Sequence, residues 1–272
     1  MYSKRNEYRI ISGRNGIDLE SETIIKLDLE DEAKRPVPKY LELEAPPFRL
    51  TEMLRYSGVP LDVAKRMVDG LRIEESEAGD FRLTGNEELL REGSEYNLLL
   101  KNLEKAVALT KGKLIFKAGF ISGKLNWDEE GFPVLPVAHR SENLKKNLHD
   151  CEGYVMFAAT IGAEMDRLIR RYEISDSSMG VFLQGVGAER AESLCNYFND
   201  MVKEEAARMG YTAHPRFSPG FGDFPVTVQR EFLDTLDAGR RMGITLSESC
   251  LMAPTKSVTA IIGLEPVKKE TE

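Results

Sequence analysis

The residues best suited to chemistry lie in one stretch, His214-Pro215-Arg216-Phe217-Ser218-Pro219-Gly220-Phe221-Gly222-Asp223-Phe224-Pro225. The planar guanidinium of Arg216 matches a carboxylate or phosphate held bidentately. Ser218-Pro219-Gly220-Phe221 puts proline at the second turn position and glycine at the third, the demand of a type II turn. Gly222 follows at once, so the main chain can approach a ligand closely and present N–H groups. A stiff loop of this kind between two helical patterns is more often a site than a connector. The same residues also read as a surface turn with a solvated arginine.

Longer elements must hold that loop. Ser178–Met209 carries the longest helical pattern, with Leu183, Gly187, Ala191, Leu194, Phe198 and Met201 as its apolar stripe and Gly210 as its stop. Glu192 sits on the flank of the stripe, beside Ala188 and Cys195, where a carboxylate must find a partner or shift its pKa. An exposed helix glutamate is the other reading. Gly153–Thr160 is a continuous apolar run, expected of a strand buried on both faces. Ile161-Gly162 then turns into a helix reaching about Arg171, and this turn fits either an anion site or a plain structural corner. Ile244–Leu246 and Val258–Gly263 read as strands joined across Ser247–Ser257. That connection holds Glu248, Met252, Pro254, Lys256 and Ser257, which face a partner or simply solvent.

Elsewhere, Tyr8–Ser12, Thr23–Leu29 and Lys39–Glu44 read as short strands before Pro46-Pro47. Two helices follow, Thr51–Tyr56 capped by Thr51 and Leu61–Leu71. Residues 74–95 are acidic and irregular, a solvated insertion. Tyr96–Leu109 is helical; Lys113–Ile121 and Phe132–Val137 are strands about a loop carrying Trp127, a packing anchor. Ser141 caps a helix over Glu142–His149, and Thr227 caps another. The expected architecture is a single α+β domain over 49–264, elaborated at 74–131. A β-leaning extension precedes it (1–48) and a charged tail follows (265–272).

The 272 residues, 42% hydrophobic and 30% charged, suit an ordinary globular core. A net charge of −8 argues against a nucleic-acid partner. No apolar run approaches the ~18 residues of a membrane span, and the start has no secretory h-region, so a cytoplasmic chain is expected. Cys151, Cys195 and Cys250 lack metal or iron–sulfur spacing and read as buried small hydrophobes. His139, His149 and His214 form no metal-binding pattern, and nucleophile elbows, Walker loops and dinucleotide fingerprints are missing.

Arg216-x-x-x-Gly220-Phe221 resembles the Arg-x-x-x-Gly-Tyr signature of the activation domain of cobalamin-dependent methionine synthase. Gly243–Gly263, with Leu246-Ser-Glu248-Ser and Met252-Ala-Pro254 leading into Ser257-Val-Thr, is similar to that family's Leu-Thr-Glu-Ser…Met-x-Pro…Ser-Val-Ser segment. Ala191-Glu192, the Ala159-Thr-Ile-Gly162 strand end and Leu54-Arg-Tyr-x-Gly58 have counterparts too. The resemblance spans roughly 141–264. It implies a twisted antiparallel sheet packed with helices, and S-adenosylmethionine bound by Glu192, Arg216, Ser218, Gly220 and Phe221. Ser218 and Gly220 would contact it through their backbone, and Phe221 would stack where the family has tyrosine. Glu248, Met252, Pro254, Lys256 and Ser257 would face a corrinoid partner. It further implies a stand-alone accessory role: reductive remethylation of cobalamin carried by a separate methionine synthase or other corrinoid protein, with a flavodoxin-like electron donor. The Asp-x-His-x-x-Gly motif of cobalamin carriers is missing here. Two family ligand contacts, an N-terminal aspartate and a late tyrosine, have no match. A non-catalytic S-adenosylmethionine sensor or interaction module is the alternative.

Overall fold

Gly153–Thr160 has no charged side chain, and every position of it is buried. Such a strand needs cover on both faces, and the rest of the chain supplies it. The computed structural model describes residues 25–29, 36–75, 81–94, 96–137 and 139–268. The strand reading at Tyr8–Ser12 and the first two residues of Thr23–Leu29 lie outside the described residues, as does the end of the tail.

The elements run β1 (Lys39–Leu43), α1 (Leu50–Tyr56), α2 (Leu61–Val68), β2 (Arg72–Glu75), β3 (Phe81–Thr84), α3 (Glu87–Leu90) and α4 (Asn97–Thr110). Next come β4 (Phe116–Lys124), β5 (Asn126–Trp127), β6 (Pro133–Val134), α5 (Glu142–Asn147), β7 (Gly153–Thr160), α6 (Glu164–Ser175) and α7 (Ser177–Arg208). The chain continues through β8 (Tyr211–Ala213), α8 (Gln229–Thr235), α9 (Ala238–Met242), β9 (Thr245–Leu246), β10 (Met252–Ala253) and β11 (Ser257–Pro266). Five strands form one sheet in the order β1-β4-β7-β11-β8, antiparallel at every pairing. The fold is α+β.

Alternation along β7 divides the core. Val155, Phe157 and Ala159 join α1, α4 and α7 on one face, through residues such as Met53, Leu100, Leu194 and Phe198. Tyr154, Met156 and Ala158 join α5, α8 and α9 on the other, through Leu144, Phe232 and Met242. Helix α1 crosses α7 closely because Gly185 has no side chain: a Cβ there would lie 2.1 Å from Ser57 Oγ and 2.9 Å from the Met53 carbonyl oxygen.

Several local expectations need correction. Thr51 lies inside α1, which starts after Arg49 without a side-chain cap. Thr227 lies in a 3-10 turn, Val226–Val228, and makes no cap for α8. The region from 72 to 90 contains the β2–β3 hairpin and α3, held partly by Glu104, which accepts from the Leu83 amide at 3.1 Å. Phe132–Val137 yields only the two-residue β6. The connection read as Ser247–Ser257 contains a further short strand, β10, which pairs with β9. Cys151 and Cys195 are buried, but Cys250 is half-buried at φ 61°. Ser141 does cap α5, accepting from Leu144 N at 3.0 Å, and Gly210 follows α7 at φ 82°.

Candidate functional site at the Arg216 loop and the flank of α7

The Arg216 segment continues the edge of the sheet beyond β8. His214 N donates to the Gly263 carbonyl at 2.8 Å, and Phe217 exchanges two 2.8 Å bonds with Ile261. Side chains alternate across such extended chain, so Phe217 packs toward the α8 face and Arg216 toward α7. Its Nη2 bonds Glu192 Oε1 at 2.5 Å and its Nη1 bonds Asn196 Oδ1 at 2.9 Å. With the Asn199 amide oriented to donate to the Cys195 carbonyl (3.2 Å), its oxygen accepts from the same Nη1 at 2.7 Å. Glu192, Asn196 and Asn199 are spaced i, i+4, i+7, one flank of a helix. The sequence reading included Glu192 and missed both asparagines, although that spacing was visible.

Arg216 is thus aimed at α7, with 21% of its side chain exposed, against 35% for Glu192. A guanidinium has five N–H donors. Nη1 has two acceptors and Nη2 one. Among the described residues Nε has no acceptor. Nε and Nη2 share the side-on edge by which a guanidinium grips a carboxylate. Glu192 beside it is the complementary pole for an ammonium group. Burial pushes the thiol of Cys195, beneath this pair, up to about 12, so it is no nucleophile there.

The turn forms as its sequence demands. Phe221 N donates to the Ser218 carbonyl at 3.2 Å, with Gly220 at φ 97°, and Pro219 is buried beneath it. Gly220 N donates to Phe224 O at 2.7 Å. The Gly220 amide, one of the backbone groups expected to meet a ligand, is therefore spent inside the turn, as is that of Phe221. A Cβ on Gly220 would meet nothing within 4 Å, so this side of the turn is open. Phe221 is 62% exposed, its ring 6.2 Å from that of Phe217. Ser218 is half-buried.

The loop is pinned at its far end by Asp223. Its carboxylate accepts from Ser141 Oγ, Glu142 N (2.7 Å), Asn143 N (3.1 Å) and Asn143 Nδ2 (3.0 Å). The Ser141 hydroxyl first, then the Asn143 and Glu142 donors, hold its pKa far below the carboxylate range. At the near end His214 bonds the Asn147 carbonyl through Nδ1 (2.7 Å) and Glu265 through Nε2 (2.8 Å). Burial opposes a charge on this ring, but those two acceptors outweigh it and raise the His214 pKa.

The residues expected to face a partner separate into two sets. Glu248 is exposed and Met252 half-buried. Pro254 and Ser257 are buried, and the Ser257 hydroxyl donates to Thr160 Oγ1 at 2.8 Å; both support the sheet end instead of facing outward. Thr160 Oγ1 also accepts from Gly162 N at 3.2 Å, so this corner is structural. Lys256 lies along α7, where Gly187 makes room for it, and donates to Gln184 Oε1 at 2.8 Å. Gln184 precedes Glu192 by two helical turns, roughly 12 Å. One helix therefore carries both groups without merging them.

A buried ion pair went unread in the sequence. Glu189 and Arg190, both about 1% exposed, are bonded side by side at 2.6 and 2.7 Å. Arg190 also donates to the Pro46 and Pro47 carbonyls and lies over the Phe48 ring at 4.0 Å. Glu189 further accepts from Ser193 Oγ and, at 3.1 Å, from Arg49 N. Arg190 stands seven residues after Leu183 and four before Leu194, on the apolar stripe itself. A charge at that position was the available signal.

Among solved structures, the chain is similar in fold to a reactivation domain. One of the matches is the crystal structure of the MetH reactivation domain bound to AdoHcy, with a TM-score of 0.50 and 17% identity, covering 87% of this chain and 81% of that one. At this identity the likeness concerns the fold alone. No protein-family model matches the chain, and neither does any curated protein. Among the described residues no helix is long and apolar enough to cross a membrane.

Proposed function

We propose that this chain binds S-adenosylmethionine at the Arg216 loop and supports reductive remethylation of cobalamin carried by a methionine synthase or other corrinoid protein. A flavodoxin-like protein would supply the electron. The reading rests on the Arg216 guanidinium, with Nε unspent, set beside the Glu192 carboxylate. An α-amino acid end carries a carboxylate and an ammonium on one carbon, and this pair offers a pole to each. The likeness in fold to a domain that was solved with AdoHcy bound supports the same ligand class. Arg216 and Glu192 would fix the methionyl end, while the open face of Ser218–Gly220 and the exposed Phe221 ring flank the remainder. The protein's contribution to methyl transfer would be positioning and exclusion of water.

Titration calorimetry with S-adenosylmethionine and S-adenosylhomocysteine tests the site. Arg216→Ala removes a charge-assisted bidentate contact of about 1.5–3 kcal/mol, a loss of roughly tenfold or more. Equal binding by wild type and variant would remove the basis of the assignment. Reduction-coupled remethylation of a purified corrinoid protein separates this role from a sensor or interaction module, which would bind ligand or partner without supporting turnover.

A further inference from the structure

One end of the Arg216 guanidinium is held entirely by uncharged partners. Nη1 has two acceptors, Asn196 Oδ1 at 2.9 Å and Asn199 Oδ1 at 2.7 Å. The Asn199 amide is itself tied down, since its nitrogen donates to the Cys195 carbonyl at 3.2 Å. Both asparagines are half-buried on α7, one and two turns beyond Glu192. They belong to a helix whose other side is core, whereas Arg216 arrives on a loop.

That difference matters for a long side chain with several rotatable bonds. Ordering it at the moment of binding costs affinity, and ordering it beforehand does not. Two amide oxygens on Nη1 leave the guanidinium plane little freedom. Nε, which has no acceptor among the described residues, therefore stays turned away from the asparagines. Glu192 bonds Nη2 alone. With the plane free to turn, its carboxylate would take Nε and Nη2 together, the stronger side-on arrangement, and a ligand carboxylate would have to displace it.

The amides also hold the arginine without adding charge. A carboxylate in either place would repel a ligand carboxylate. Arg216 and Glu192 sum to zero, as do the two ends of an amino acid zwitterion.

Resting on the reading that Arg216 holds the ligand's carboxylate, we propose that Asn196 and Asn199 are positioning residues of that site. They touch no ligand atom. They set the guanidinium plane so that Nε meets the ligand, and they keep Glu192 from closing over it. The preference for a ligand with a complete amino acid end is thus set on α7 as well as on the loop.

The probes are S-adenosylhomocysteine and 5′-methylthioadenosine, which has the nucleoside and thioether but no amino acid end. Calorimetric titrations compare wild type, Asn196→Ala, Asn199→Ala and the double variant, each with and without Arg216→Ala. Hydrogen bonds to a charged group are lost, so S-adenosylhomocysteine should bind Asn199→Ala about fivefold more weakly and the double variant roughly tenfold or more. In the Arg216→Ala background the same substitutions should matter less than about twofold. 5′-Methylthioadenosine should bind every asparagine variant within about twofold of wild type. Alanine is the best helix former, and circular dichroism checks that α7 persists. Wild-type affinity in Arg216→Ala would refute the ligand reading itself. If Arg216→Ala does weaken binding, three results overturn the positioning role alone: an unchanged double variant, a loss that persists without Arg216, or an equal loss for 5′-methylthioadenosine.

Discussion

Replacing Arg190 by methionine keeps the length of the side chain and removes its charge. Glu189 would lose two of its four hydrogen bonds and keep those from Ser193 and Arg49. The Pro46 and Pro47 carbonyls would lose their donor, and the Phe48 ring its cation. Breaking one partner of a buried pair costs about 3–5 kcal/mol, a large share of the roughly 5–15 kcal/mol that holds a domain folded. With an m-value of about 2–3 kcal/mol/M, the urea midpoint of Arg190→Met should fall by about 1–2.5 M. The double variant Glu189→Leu, Arg190→Met removes both charges together and should lie well above the sum of the single effects. The measurement is urea unfolding followed by circular dichroism and by tryptophan fluorescence. A midpoint for Arg190→Met within about 0.3 M of wild type would refute the argument that this pair ties the Pro46–Arg49 segment to α7.

Gly185→Ala should destabilise by about 1–3 kcal/mol in the same assay, because its Cβ would strike Ser57 and the Met53 carbonyl where α1 crosses α7. Asp223 has a lowered pKa, so its contribution is present above the ordinary value of 3.8 and is lost as pH falls through the folded value. Melting temperatures of wild type and Asp223→Asn should differ at pH 7 and converge in acid. His214 has a raised pKa. Its contribution is complete below 6.5 and fades as pH rises through the folded value. The gap between wild type and His214→Gln in thermal melts should therefore narrow between pH 6 and 9; a gap that widens would mean the ring is held neutral.

Periodicity made the principal elements legible. β7 and α7 fall where an apolar run and an apolar stripe place them, because burial on two faces or along one flank leaves a regular mark. The Ser218–Gly220 turn followed from proline and glycine chemistry, and Arg216 and Glu192 do meet. The partners that shape their site were harder to read. Asn196 and Asn199 are ordinary helix residues until the arginine arrives from twenty or fewer positions downstream. The spent amides of Gly220 and Phe221 depend on how Phe224 folds back, which turn propensity does not specify. The β2–β3 hairpin was obscured by acidic residues, since its pairing draws on Glu104 and a distant helix rather than on a strong alternating pattern. Pro254 and Ser257 looked loop-like, yet both are buried, Ser257 as the first residue of β11.

The outer margin of β11 carries a second consequence. β8 covers only Leu264–Pro266, a row that would otherwise leave most of a ten-residue strand open to another chain. His214 and Phe217 extend that cover inward by bonding Gly263 and Ile261. The segment that aims Arg216 at its helix thus also shields a strongly apolar strand from pairing between molecules. Shortening it to improve a ligand site would invite association along the exposed ladder.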